Sequence, residues 1–479
     1  MNILFVTSEV FPLIKTGGLA DVSYSLPKAL EQLGHRVTVV IPGYRSVKSK
    51  LGVPDTRYVL QDGFLRQDIV LSEFRSSPLG LPLLLVESES LFDRDGGPYE
   101  RGNGEAWADN ADRFAQFCRV VVAWLTNQEL EHEAYDVVHC NDWQTGLIPA
   151  LLSLHHLPIK TVFTIHNLAY QGVFDRAVFQ QLQLPEPWWH MDALEFYGNF
   201  SFLKAGIVYS DWVTTVSPTY ADEILREPAA CGMAGLLQHH QRKLVGILNG
   251  ADYQVWDPKT DHHILFHYDS QNLEQKQKNK LDLQHITGLR LSKSAPLIGL
   301  VSRLVEQKGI DWVVAAIEAT QGEKVQWVIL GNGTPLYEQQ LRALAQAHPK
   351  TIAVTIGYDE ELAHRIEAGS DLFAMPSRYE PCGLNQIYSL RYGTLPIVRR
   401  TGGLADTVVD VDDASLEQGT ATGFVFEEPE AQAFLATVMR AIGMYRKRKT
   451  WERIQQTAMA QRFDWEHSAQ SYLELYEQE

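Results

Sequence analysis

A cation, a threonine and two glycines occur together twice in this chain, as Lys15-Thr16-Gly17-Gly18-Leu19-Ala20-Asp21 and as Arg400-Thr401-Gly402-Gly403-Leu404-Ala405-Asp406. Each copy has an apolar run before it and a helical pattern after it, and the free N–H groups of a glycine-rich helix start suit a phosphate. Gly-Gly also permits a tight strand-to-helix turn with no ligand; two copies, each preceded by a cation, favour binding. Arg303 and Lys308 follow another apolar run directly, where they can grip two phosphates. Glu380, in Glu380-Pro381-Cys382-Gly383-Leu384, stands in a strand-to-helix loop. A carboxylate there either favours the helix start through its dipole or bonds sugar hydroxyls and stabilises positive charge growing at an anomeric carbon. Cleavage of a sugar nucleotide releases a diphosphate, whose developing charge such cations and helix starts would stabilise. Asp93-Arg94-Asp95 and Asp410-Val411-Asp412-Asp413 superficially match an acidic metal motif. One lies in a glycine-rich loop and the other follows a helix end, so both read as solvated acids, and no metal is expected.

These residues need elements that carry them to strand ends. Residues 2–8 form a short β-branched apolar run, Leu19, Val22, Leu26, Ala29, Leu30 and Leu33 recur at helical spacing, and residues 36–42 form a second apolar run. Strand, glycine loop, helix and strand make a βαβ unit with a parallel sheet, to which residues 136–139 and 161–165 add strands. The second half repeats the scheme, with strands expected near 296–301, 325–330, 351–356, 371–375 and 395–399 between helical patterns. The expected protein is α/β, with two doubly wound, Rossmann-like domains at 1–246 and 247–462. An amphipathic C-terminal helix, 463–479, is expected to pack back on the first domain.

Bulk properties agree with an enzyme acting on small anions or neutral polymers. At 479 residues the chain exceeds one core, and 45% hydrophobic residues indicate a globular protein. A net charge of −17 repels polyanions, which excludes nucleic acid and anionic membranes as main partners but raises no barrier to a neutral polymer. The four cysteines, Cys118, Cys140, Cys231 and Cys382, match no zinc or disulfide framework and fit a reducing cytoplasm. The N-terminus lacks a signal-peptide pattern, and no apolar run approaches the roughly 18 residues of a membrane span.

Taken together, the two Gly-Gly motifs, Arg303 with Lys308-Gly309, and Glu380-Pro381-Cys382-Gly383-Leu384 resemble bacterial glycogen synthase and plant starch synthase, over essentially the whole chain. The resemblance implies a retaining glycosyltransferase of the GT-B architecture, two Rossmann-like domains facing a central cleft. ADP-glucose is the implied donor, the non-reducing end of an α-1,4-glucan the acceptor, and no cofactor is implied. The first domain would serve the acceptor and the second the donor. By the same resemblance Lys15 and Gly18 approach the donor phosphates, Arg303 and Lys308 bind the diphosphate, and Thr401, Gly402 and Gly403 hold its distal end. Glu380 is the implied essential carboxylate at the glucosyl unit, with backbone groups of Cys382 and Gly383 beside it. The family pattern would put His166 against the transferred glucose and Asp142 near donor sugar or acceptor, both catalytic candidates together with Lys15, and would leave Trp143 available for stacking. Tyr99 and Asn167 are further candidates on the acceptor side, Asn249 on the donor side, and Tyr358 is a candidate to stack on the base. The aromatic stretch from Trp188 to Phe202 is a candidate glucan contact, although aromatics are most often core. For retention, front-face attack with the leaving diphosphate taking the acceptor proton is favoured over a covalent glycosyl-enzyme, because GT-B enzymes lack an obvious carboxylate placed as nucleophile.

Rival readings are a UDP-glucose-dependent or small-acceptor GT-B glucosyltransferase and a catalytically inactive glucan-binding protein. The inactive reading predicts damaged donor residues, yet Lys15, Arg303, Lys308 and Glu380 are all present. Base choice rests on a few loop contacts, so ADP against UDP stays open on the residues alone.

Overall fold

The computed structural model describes residues 1–60, 63–66, 68–102, 104–127 and 134–478. The chain divides into two units, Met1–Gly250 with Trp465–Glu479, and Ala251–Asp464. In the first unit the apolar runs become β1 (Asn2–Val6), β2 (Arg36–Pro42), β3 (Thr56–Tyr58), β4 (Val70–Phe74), β5 (Leu83–Glu87), β6 (Val137–Asn141) and β7 (Lys160–Ile165). A small antiparallel sheet of β8 (Val173–Phe174), β9 (Glu195–Phe196) and β10 (Asn199–Ser201) precedes β11 (Trp212–Thr215) and β12 (Leu244–Gly246). The main sheet runs β12-β11-β7-β6-β1-β2-β5-β4-β3, parallel from β12 to β5 and antiparallel at β4 and β3. Ile3, Leu4, Phe5 and Val6 are fully buried, as strands covered on both faces require. The chain leaves β1 for β2 and β5 on one side, then returns to build β6, β7, β11 and β12 on the other. Winding therefore reverses between β1 and β6, which opens a crevice at their carboxyl ends.

The C-terminal helix Trp465–Glu477 belongs to this unit: Trp465, Ala469, Tyr472 and Tyr476 share a core with Ile3, Val22, Leu26 and Val37. The Tyr476 hydroxyl hydrogen-bonds Nδ1 of His139 at 2.6 Å, and the other ring nitrogen meets the Thr164 hydroxyl at 2.7 Å. Burial pushes the pKa of His139 down to about 3, so the ring is neutral.

The second unit contains β13 (Leu297–Val301), β14 (Gln326–Gly331), β15 (Ile352–Ile356), β16 (Leu372–Met375), β17 (Leu395–Arg399) and β18 (Phe424–Phe426). Their order, β15-β14-β13-β16-β17-β18, all parallel, is the 3-2-1-4-5-6 arrangement of a Rossmann sheet, with its reversal between β13 and β16. The polar helix Glu274–Ile286 buries Lys276, Asn279, Lys280 and Gln284 against this sheet. Lys280 Nζ pairs with Asp371 at 2.6 Å and also donates to the Ala295 carbonyl and the Tyr445 hydroxyl, which meets the need of a buried cation for partners. Among the described residues no helix is long and apolar enough to cross a membrane.

Tyr476→Phe leaves His139 Nδ1 buried without its partner. The expected cost is about 1–3 kcal/mol, read as a lower urea midpoint in equilibrium denaturation.

Candidate active site

At the reversal point of the second unit, Arg303 follows β13 and Glu380 follows β16. Gly309 brings these two loops together: its φ is +68°, and a Cβ there would lie 2.2 Å from the Pro376 carbonyl oxygen. Only glycine tolerates both conditions at low cost. Alongside it the Gln307 carboxamide donates to the Tyr379 carbonyl at 3.1 Å, and the Arg378 N–H donates to the Gln307 carbonyl at 2.8 Å. The turn so fixed points Lys308 Nζ at Glu380 Oε2, 2.5 Å away, and the Ser377 hydroxyl donates to the same oxygen at 2.9 Å. Glu380 is buried at 7% exposure, while Oε1 makes no hydrogen bond among the described residues. Arg303 is exposed and has no ion-pair partner among the described residues.

The second Gly-Gly motif underlies this loop. A Cβ on Gly402 would come within 1.9 Å of the Glu380 carbonyl oxygen and one on Gly403 within 2.1 Å of the Cys382 carbonyl oxygen. The Gly403 N–H donates to the carbonyls of Glu380 and Pro381, and Thr401 is buried. Gly383 has φ +70° over the Gln386 carboxamide, which donates to the Cys382 and Gly383 carbonyls. Tyr358 stands beyond β15 with 71% of its surface exposed.

In the first unit Glu9, Asp142 and His166 sit just past the carboxyl ends of β1, β6 and β7. Asp142 has φ 56° and ψ 179°, a region that costs a non-glycine residue about 1–3 kcal/mol. The backbone is held there by its own N–H to the Thr164 carbonyl and by the His166 N–H, which donates to Oδ1 at 2.8 Å. Burial pushes the Asp142 carboxyl up to about 7, against the lowering effect of the His166 and Asn167 N–H groups, with Glu9 adding like-charge repulsion. Burial pushes His166 down to about 3, so its ring is neutral. Asn141 donates Nδ2 to the Val6 carbonyl, which turns Oδ1 to His166; Nε2–H of the imidazole donates to it at 2.9 Å and Nδ1 is left as an acceptor.

Lys15, Gly17 and Gly18 are exposed at the start of the helix Gly18–Gln32. Among the described residues, nothing beyond each glycine's own chain neighbours and helix backbone lies within 4 Å of a Cβ built on it, the reverse of the packed second motif. Lys15 Nζ pairs with Asp21 at 2.9 Å. Asn249 is buried, and its Oδ1 has no hydrogen-bond partner among the described residues.

The family model described as starch synthase catalytic domain matches residues 2–239, and that described as glycosyl transferases group 1 matches residues 285–457. The chain is 48% identical to "Glycogen synthase 2" of Nitrosococcus oceani, over 100% of this chain and 97% of that protein. It is also 48% identical to a glycogen synthase of Thioalkalivibrio sulfidiphilus, over 99% of each. The chain belongs to the glycogen synthase and starch synthase family. Among solved structures, the catalytic domain of starch synthase IV from Arabidopsis thaliana, bound to ADP and acarbose, shares 31% identity and a TM-score of 0.87, covering 99% of this chain and 98% of that one. A sucrose-phosphate synthase of Thermosynechococcus elongatus, at 18% identity and TM-score 0.62 over 99% and 98% of the two chains, shares the fold alone. This synthase-family member is a retaining glucosyltransferase, and its two Rossmann-like units are those of the GT-B fold.

The structure gathers Lys308, Glu380, Cys382, Gly383, Thr401, Gly402 and Gly403 around one loop, and Asp142, His166 and Asn141 around another. Other residues of the synthase have local occupations. The Tyr99 hydroxyl donates to Glu9 and meets Ser8. Trp143 packs among Phe114, Phe174 and Phe202 and over Gly172, and Asn167 Oδ1 accepts the Ala169 N–H. Of the stretch from Trp188, Phe200 and Phe202 are core, whereas Tyr197 is 78% exposed. Asp93 is tied to Arg45 and Lys48, Asp410 to Arg440, and Asp412 caps the helix Asp413–Gln418. No motif marks Glu9 or Asn141; the signal the sequence carries for them is a polar side chain at or just past the carboxyl end of an apolar strand.

Asp142 binds its proton more tightly folded than unfolded, so it favours the fold below the ordinary carboxylate range and this contribution fades as pH rises through about 7. Asp142→Asn, which keeps the size and shape of the side chain, is expected to abolish the decline in Tm that this group produces between about pH 4 and pH 7. Calorimetry across that window checks it; profiles of equal slope would show that the carboxyl is solvated.

Proposed function

We propose that the enzyme transfers glucose from ADP-glucose to the non-reducing end of an α-1,4-glucan with retention of configuration, and without a metal. The observation that carries this reading is the Lys308–Glu380 pair at the reversal point of a Rossmann sheet, in a chain whose relatives are glycogen synthases. The starch synthase relative bound to ADP and acarbose supports the base and the glucan-like acceptor.

In this reading the second unit takes the nucleotide sugar. Tyr358 stacks on the base, Arg303 and Lys308 neutralise the diphosphate, and Thr401, Gly402 and Gly403 with the backbone of Cys382 and Gly383 hold the distal end. When Lys308 turns to phosphate, Glu380 keeps the Ser377 hydrogen bond and offers Oε1 to the glucosyl unit, where a carboxylate stabilises oxocarbenium-like charge. The first unit takes the acceptor and also lends Lys15, the helix start at Gly18, and Asn249 to the donor. Neutral His166 accepts a sugar hydroxyl at Nδ1 and orients the transferred glucose without protonating it. Asp142 accepts from a sugar hydroxyl, and Tyr99, Trp143 and Asn167 lie on the acceptor side. The bond from the anomeric carbon to the diphosphate breaks as the acceptor oxygen attacks from the same face, and a diphosphate oxygen takes the acceptor proton. Four free cysteines suit a reducing cytoplasm.

Glu380→Gln keeps volume and removes charge, so kcat should fall by about 10²-fold or more with the fold intact. Lys15→Gln should mainly raise the donor KM. Incorporation of labelled glucose into glycogen from ADP-glucose, with UDP-glucose in parallel and chelator present, checks the assignment. Preference for UDP-glucose would overturn the donor, and loss of incorporation on chelation would overturn the metal-free reading.

A further inference from the structure

We propose that Glu9 is a positioning residue for donor binding: its buried carboxylate fixes the Lys15–Gly18 loop through Thr16. This rests on the reading that the loop receives the donor diphosphate. Glu9 is 3% exposed, just beyond β1. Three donors converge on its two oxygens: the Thr16 N–H on Oε2 at 2.5 Å, the Thr16 hydroxyl on Oε1 at 2.6 Å, and the Tyr99 hydroxyl on Oε1 at 2.6 Å. Because Tyr99 spends its hydrogen on Glu9, the 2.7 Å contact with Ser8 has the serine donating. The end of β1 is itself fixed, by the Thr7 N–H to the Val40 carbonyl at 3.1 Å and by the Thr7 hydroxyl to the Glu9 carbonyl at 3.0 Å.

Lys50 Nζ donates to the Pro12 and Leu13 carbonyls at 3.0 and 2.8 Å and so ties down the stretch before the loop. The Ile14 N–H reaches the Val10 carbonyl and the Phe11 N–H the Ala20 carbonyl, which tether its shoulders. Residues 15–18 are exposed, and among the described residues nothing beyond the adjoining backbone lies within 4 Å of where a side chain on Gly17 or Gly18 would start. The Lys15–Asp21 pair has side chains 39% and 26% exposed, and pairs of that kind contribute roughly 0–1 kcal/mol. The carboxylate therefore carries the hold on Thr16, and with it the directions of the Lys15 side chain and the first helical N–H groups. A carboxylate suits this position because it has no hydrogen of its own: a carboxamide would set its NH2 against the Thr16 N–H or against the two hydroxyls, and so weaken the hold on Thr16.

The experiment measures ADP affinity by calorimetric titration, and KM and kcat for ADP-glucose and for glycogen, in the full-length enzyme and in Glu9→Gln, Glu9→Asp, Thr16→Val and Lys15→Gln. Glu9→Gln should weaken ADP and raise the ADP-glucose KM by about tenfold, while kcat and the glycogen KM change less than about threefold. Thr16→Val, which leaves the carboxylate in place, should shift the same two quantities by about threefold, and the double variant should be no worse than Glu9→Gln because both cut one linkage. Glu9→Asp should restore part of the affinity. If Glu9→Gln fails to fold, Thr16→Val alone decides by the same split. Loss confined to Tm, or a fall in kcat and glycogen affinity with ADP binding intact, overturns the positioning role. Lys15→Gln separates the two ideas: normal ADP affinity in that variant overturns the phosphate-loop reading, whereas weak binding there with normal binding in Glu9→Gln and Thr16→Val overturns only the role of Glu9.

Discussion

A parallel sheet whose chain winds outward from a central strand in both directions leaves one place where neighbouring connections run to opposite faces and no helix covers the strand ends. That constraint governs both units. Between β1 and β6 it exposes the loops that carry Glu9 and Asp142, and between β13 and β16 it exposes those that carry Arg303, Lys308 and Glu380. The polar groups of each candidate site lie where the sheet stops supplying backbone partners, and so the side chains supply them.

Charges at such positions are costly to desolvate and are stable only with partners at good geometry. Glu380 has Lys308 and Ser377, and Lys280 in the core of the second unit has Asp371, Tyr445 and a carbonyl. The two sets differ in what they leave over. Lys280 and Asp371 are 1% and 2% exposed, a pair that organises the core, whereas Glu380 keeps one oxygen without a hydrogen bond among the described residues. The same distinction separates His139, whose two nitrogens are both used inside the unit, from His166, whose Nδ1 has no partner among the described residues.

The duplicated Gly-Gly sequence shows how one local pattern serves two physical ends. Both copies start helices after a strand of a parallel sheet, but Gly402 and Gly403 lack side chains because the Glu380–Cys382 backbone occupies that space. Gly17 and Gly18 lack them with open space in front, so a ligand's phosphate can approach the backbone. Substituting the second pair would displace the loop that bears Glu380; substituting the first would obstruct only what comes from outside.

Apolar runs long enough to fill a buried parallel strand and glycines at strand-to-helix turns are local signals, so the class of both units and the chemistry of their loops are legible along the chain. Strands at 296–301, 325–330, 351–356, 371–375 and 395–399 emerge within a residue or two of expectation, and the shorter β3, β8, β9 and β10, at two or three residues each, carry too little periodicity to be read. The resemblance of Lys15, Arg303, Lys308 and Glu380 to family motifs pointed to the same enzyme family that the comparisons show. Which polar residues meet depends instead on contacts made in folding. Glu9 and Thr16 are seven residues apart, Lys308 and Glu380 seventy-two, and Lys280 and Asp371 ninety-one, and no local pattern marks such pairs. Burial is likewise a property of the assembled sheet: it makes Asp142 a weak acid, keeps His166 neutral, and turns the polar run from Lys276 to Gln284 into core, because proton affinity and solvation depend on neighbours that the chain brings together only by folding.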